Sequence, residues 1–177
     1  MKRRFLLCAL GLAIVFSGSV VRCQDLAVQT QSRKQVLSRT ELDALPHVKV
    51  TASEHSSGPV SFEGVTVKSV LEKAGITFEE SMKGKRMADS LLVEAADGYK
   101  AVFAMAELDP AFSDKQIVLA FLRDGKPLGD KEGPYRIVVP DEKRMARWVR
   151  QVTAVKIVNV SEVNPSESSP QSLSPPP

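Results

Sequence analysis

Between residues 35 and 160 the apolar positions fall into short periodic runs separated by turn residues. In "HVKVTAS", Val48, Val50 and Ala52 alternate with polar neighbours, which predicts a half-buried strand. "LLVEAADGYKAVFAM" predicts two strands joined at Asp97-Gly98, a dipeptide suited to a hairpin turn. Residues 117–122 are apolar throughout, the pattern of a strand inside a sheet rather than at its edge. They run into a second Asp-Gly turn at Asp124-Gly125. "YRIVV" after Gly133-Pro134 and the alternating "AVKIVNV" add two more strands.

A helical period shows in three places. Ser38 and Glu41 have the spacing of a capping box, with Leu42 and Leu45 behind it and Pro46 as a stop. Val67, Val70, Leu71 and Ala74 share one helical face, with Thr66 placed to cap the start and Gly75 to end it. Met145, Trp148, Val149 and Val152 stand at i, i+3, i+4 and i+7 behind Pro140 and Asp141, which predicts a helix with Asp141 as its N-cap. "AELDPAF" reads as a short helical turn broken by Pro110, "EHSSGP" as a loop, and Gly84 argues against one long helix in "TFEESMKGKRMAD". Six or seven strands and two or three helices without a βαβ rhythm predict an α+β fold, a mixed β-sheet with packed helices.

The ends differ from this middle. Lys2, Arg3 and Arg4, the apolar run 5–16 and the small residues 17–19 predict a secretory signal peptide over residues 1–23. That implies a periplasmic or secreted protein. Residues 24–34 are expected to be a flexible lead-in, and the folded domain is expected over 35–160. The Ser/Pro-rich stretch 161–177 lacks the apolar surface to offset its ordering entropy and reads as a disordered tail. No transmembrane segment is predicted in the mature form.

Removing residues 1–23 changes the charge and the chemistry. The chain has 24 basic and 21 acidic residues. Lys2, Arg3, Arg4 and Arg22 leave with the signal, so 24 − 4 leaves 20 basic against 21 acidic. A near-neutral chain lacks the electrostatic footprint for nucleic acid. Cys8 and Cys23 are the only cysteines, so the processed chain has no disulfide, thiolate nucleophile or thiolate metal ligand. His47 and His55 flank one strand, with Glu54 beside His55, short of the convergent set that zinc requires.

Three stretches carry a resemblance when taken in order: "FEGVTVKSVLEKAGI", "LLVEAADGYKAVFAMAELDP" and "LAFLRDGKPLGDKEGPYRIVVPDEKRMARWVRQVTAVKI". Together they resemble the oxidoreductase molybdopterin-binding domain, the sulfite-oxidase-type fold, and in particular its short, exported, single-domain members. The resemblance implies a molybdenum–pterin cofactor whose metal is held by one cysteine sulfur, after an early strand and before the "F-x-G-V" segment. In this chain that strand runs into Ser53-Glu54-His55-Ser56, with no cysteine.

The resemblance also places the segment around Arg136 beside the cofactor, where a guanidinium can grip a phosphate or carboxylate through paired hydrogen bonds. Arg136 is therefore a candidate groove residue, and Tyr99, after the Asp97-Gly98 turn, and Arg123, before the Asp124-Gly125 turn, are the other two. Arg144, Arg147 and Arg150 are expected on one solvated face of the last helix, and Trp148 in the core. Three functions stay open at this point. One is a non-catalytic module binding a small anionic or pterin-like ligand or a periplasmic partner protein. Another is a molybdopterin-dependent oxidoreductase whose metal is held by oxygen from Ser53 or by solvent. The third is a structural or interaction domain without a ligand.

Overall fold

A computed structural model describes residues 25–30, 32–54, 58–78 and 82–159. The stretch 1–23 expected to be a signal peptide, the stretch 161–177 expected to be a tail, His55 and Ser56 lie outside the described residues. Among the described residues, ten strands form two five-stranded sheets. The first has the order β2 (Lys34–Leu37), β1 (Leu26–Gln29), β10 (Val152–Asn159), β5 (Asp89–Ala95) and β6 (Lys100–Ala104). The second runs β3 (His47–Glu54), β4 (Gly58–Thr66), β7 (Val118–Arg123) and β8 (Lys126–Pro127), with β9 (Arg136–Val138) also paired to β7. One continuous apolar core includes Leu26, Phe62, Leu91, Phe103, Leu119 and Ile137, all buried.

Local signals give both short helices. In α1 (Arg39–Asp43), the Glu41 N–H donates to Ser38 Oγ, and Glu41 Oε2 accepts from the Ser38 N–H at 2.9 Å. Two otherwise unpaired backbone donors are thereby satisfied, and Leu42 faces the core. In α2 (Val67–Lys73), Thr66 Oγ1 accepts from the Ser69 N–H at 3.1 Å. Val67, Val70, Leu71 and Ala74 are buried, as their spacing predicts, and Gly75 closes the element at a φ of +87°. The hairpin at Asp97-Gly98 joins β5 to β6, and the apolar strand β7 lies inside its sheet between β4 and β9.

Strand β4 was hidden in the sequence behind Gly58, Pro59 and the helix signal that follows. It pairs with β3 from His47↔Val65 to Glu54↔Gly58. At its bulge, between Glu63 and Gly64, the neighbouring strand β7 comes close. A Cβ on Gly64 would lie 2.1 Å from the Leu119 carbonyl oxygen. The glycine of the "F-x-G-V" segment is therefore required by backbone approach.

Two expectations are corrected. No α-helix forms behind Asp141; the segment has one 3-10 turn, Met145–Arg147. Arg144 is extended (φ −136°, ψ 135°), and the chain lies along β9 instead. The Ile137 N–H donates to the Val149 carbonyl at 2.8 Å, and the Val152 N–H to the Tyr135 carbonyl at 2.9 Å. Trp148, Val149 and Val152 are buried, so the apolar stripe signalled burial but not helix. The stretch expected to be a flexible lead-in carries β1. Leu26 and Val28 are buried, and β1 pairs in parallel with β10 from Ala27↔Ala154 to Gln29↔Lys156.

Candidate functional site

Arg136 opens β9 just after the Gly133-Pro134 bond, which is cis. Its side chain is only 1% exposed. A buried guanidinium requires compensating charge, and two carboxylates provide it. Arg136 Nη2 donates to Glu54 Oε1 at 2.6 Å, and Nη1 donates to Glu132 Oε1 at 2.7 Å. Arg123, at the end of β7, donates from Nη2 to Glu54 Oε2 at 2.7 Å and from Nη1 to Glu132 Oε1 at 3.2 Å. The four side chains close a ring in which two positive charges meet two negative ones. Burial works to lower the Arg123 pKa, but Glu54 and Glu132 outweigh it and hold that pKa above its ordinary value. The Arg136 guanidinium also sits 5.3 Å from the Phe62 ring and 5.5 Å from Trp148. Its Nε–H is buried and has no hydrogen-bond acceptor.

Beside this ring lies a cavity of about 250 Å³ lined by Arg136, Tyr99, Trp148, Val149, Met145 and Arg150, among others. Tyr99 reaches it from the β5–β6 hairpin, where Gly98 takes a φ of +86° and the Tyr99 N–H donates to Asp97 Oδ1 at 2.9 Å. The half-exposed Tyr99 ring spans to the opposite wall, and its hydroxyl donates to the Ala146 carbonyl at 2.6 Å. Two of the three residues predicted for a groove thus share one cavity. The third, Arg123, does not line it but is joined to Arg136 through Glu54 and Glu132.

A second ion cluster fixes the segment that forms this wall. Arg147 donates to Glu107 from Nη1 at 3.1 Å and from Nη2 at 3.2 Å, and also to Glu142. Its guanidinium lies 4.5 Å from the Phe103 ring. Burial works to raise the Glu107 pKa, but hydrogen bonds from Arg147, the Ala104 N–H and Lys115 outweigh it and hold the pKa at about 2. Arg147 therefore belongs to a pinned wall, whereas Arg144 and Arg150 are exposed. Trp148 is buried, with Nε1–H donating to the Val139 carbonyl at 3.1 Å.

Glu54 and Glu132 are the site residues that pattern reasoning missed. Glu132 stands four positions before Arg136, a spacing that offered a hint; Glu54 comes from a distant strand and offered none. Ser53, next to Glu54, is exposed. His47 lies 3.4 Å from Glu63 and packs edge-on to Phe121. Among the described residues no group of three or more His, Cys, Asp or Glu is placed to hold a metal ion, and no helix is long and apolar enough to cross a membrane.

The family model of the oxidoreductase molybdopterin-binding domain matches residues 24–165. Among solved structures, the chain is similar to the sulfane dehydrogenase SoxCD from Paracoccus pantotrophus, with a TM-score of 0.57 and 20% sequence identity. The likeness covers 77% of this chain and 39% of that one, so the chain spans well under half of its length. It shows a shared α+β fold of the sulfite-oxidase type. No curated protein matches the chain.

Proposed function

Because this chain belongs to the oxidoreductase molybdopterin-binding domain family, we propose that it is a non-redox member, exported by residues 1–23, that works by binding rather than by oxygen-atom transfer. The family's fold is kept, and its activity is a separate matter decided by the site. The observation that carries the reading is the closed ring Glu54–Arg136–Glu132–Arg123.

A molybdenum–pterin group is anionic, and the family resemblance implies a sulfur donor to its metal. The residues present do not fit that group. Residues 24–177 contain no cysteine, and the side chains that end β3 are the Ser53 hydroxyl and the Glu54 carboxylate. A serine hydroxyl holds its proton far more tightly than a thiol, so it is a poor replacement for a thiolate at neutral pH. Glu54 is engaged with both arginines. An incoming phosphate would have to displace a carboxylate already held by charge-assisted hydrogen bonds. The binding function is assigned to the cavity beside Arg136 and Tyr99.

The test is composition. Protein purified from its own host should contain neither stoichiometric molybdenum by elemental analysis nor pterin by fluorescence after oxidation. One molybdenum per chain with matching pterin would overturn the reading.

A further inference from the structure

Resting on that reading, we infer that the cavity between Arg136 and Tyr99 takes a small zwitterion, an α-amino acid with an apolar side chain. The charges of the lining lead there. Arg136 is already compensated, because its Nη groups meet Glu54 at 2.6 Å and Glu132 at 2.7 Å. Two further charged residues line the cavity, Asp97 and Arg150. Asp97 comes from the turn between β5 and β6, and Arg150 from the segment between the 3-10 turn and β10. Both are exposed, and among the described residues neither has an ion-pair partner. An anion would be attracted by Arg150 and repelled by Asp97, and a cation would meet the reverse. A neutral molecule would gain from neither. A molecule with one charge of each sign complements both, and complementarity of this kind sets specificity.

Each group suits its half of such a ligand. The Arg150 guanidinium offers a planar fork of donors that matches a carboxylate. Asp97 uses Oδ1 to accept the Tyr99 N–H at 2.9 Å, and a carboxylate has further acceptor positions for an ammonium group. Ala95, Trp148 and Val149 line the same cavity and are buried. The Trp148 N–H is already bonded to the Val139 carbonyl, so the indole contributes ring surface. The lining thus passes from charged groups in solvent to apolar ones in the core, the order of a zwitterionic head and an apolar side chain. A volume of about 250 Å³ is below the roughly 300–1,000 Å³ of ordinary ligand pockets, which suits a single amino acid rather than a dinucleotide. Exposed charges are screened and each contact is weak, so recognition shows as a ratio between ligands rather than as tight binding.

Four forms of one side chain test this: L-leucine (zwitterion), N-acetyl-L-leucine (anion), L-leucine amide (cation) and N-acetyl-L-leucine amide (neutral). Trp148 is the chain's single tryptophan, so the ¹⁵N-labelled chain without residues 1–23 gives one indole N–H signal, and that signal reports on the cavity wall. L-leucine is expected to move it saturably, with each of the other three binding at least about fivefold more weakly, the upper end of what one exposed ion pair contributes. Arg150→Gln should bring L-leucine down to the level of its amide. Asp97→Asn, which keeps the acceptor for the Tyr99 N–H, should bring it down to the level of N-acetyl-L-leucine. No movement with L-leucine, an equal response to all four forms, a preference for any blocked form, or a zwitterion preference that survives either substitution each overturns the inference. If a variant fails to fold, the comparison of the four forms on the unsubstituted chain decides. These results are separable from the non-redox reading, because molybdenum in the preparation sinks that reading, whereas a molybdenum-free chain without the zwitterion preference sinks only this one.

Discussion

Arg136 and Glu54 are joined across 2.6 Å, from the start of β9 to the end of β3, with the guanidinium almost fully buried. Removing one partner of such a pair leaves an uncompensated charge in the interior. Glu54→Ala is expected to lower stability by about 3–5 kcal/mol, the cost typical of breaking a buried pair from one side. Arg123→Ala should cost clearly less, because its side chain is 30% exposed and Arg136 keeps both carboxylates. Urea unfolding of the two variants checks the order, and equal losses would show that burial of Arg136 is not what makes the pair matter.

The two ends of the pH scale are governed by different residues. Glu107 is held at about 2 against an ordinary 4.5. Its contribution to stability is fully present above about 4.5 and is lost as pH falls through about 2. Glu107→Gln should flatten the stability curve in that window. Burial pushes the Tyr135 pKa from 10.0 up to about 12, and Asp43 and Asp25 add to it against the opposing pull of Arg39. Its contribution is present below pH 10 and is lost as pH rises through about 12. Tyr135→Phe should remove that alkaline loss. Thermal unfolding against pH reads both, and unchanged slopes would contradict the assignments.

Tyr99 closes the cavity through its hydroxyl bond to the Ala146 carbonyl. Tyr99→Phe is expected to cost about 0.5–1.5 kcal/mol, the net worth of one such bond. Amide exchange over residues 144–150 should quicken more than exchange in β7. Uniform quickening across the chain would mean that the bond does not hold this wall in particular.

Gly64 faces the Leu119 carbonyl too closely for any side chain. Gly64→Ala should destabilise the chain by at least about 1–3 kcal/mol, the range for overpacking, since a backbone atom rather than a flexible side chain must give way. Circular dichroism melts would show the effect; a neutral result would mean that β4 and β7 separate easily at the bulge.

What could be read from the sequence was what local chemistry decides. The Ser38–Glu41 cap, the Thr66 cap with Gly75, and the Asp97-Gly98 turn depend on residues within a few positions of one another. The stretch after Asp141 could not be read this way. Trp148, Val149 and Val152 have helical spacing, yet they are buried on a segment hydrogen-bonded beside β9, whose one helical piece is the 3-10 turn Met145–Arg147. Strand β4 was masked by Gly58, Pro59 and Gly64, which look like breakers; Gly58 instead takes a positive φ at the strand end, and Gly64 allows the close approach at the bulge. Leu26 and Val28 made too short a run to signal β1 without its partner β10. For the candidate site, Arg136 was legible through the family resemblance and Tyr99 through the Asp97-Gly98 turn before it. Glu54 was not, because nothing near it in the chain reveals that two distant arginines converge on it.

The most direct test of the central claim is the mass of the chain without residues 1–23 under non-denaturing conditions. The internal neutralisation of Arg136 and Arg123, together with the absence of cysteine after Cys23, predicts a species without a molybdenum–pterin adduct. A dominant species carrying one molybdenum–pterin group per chain would contradict it.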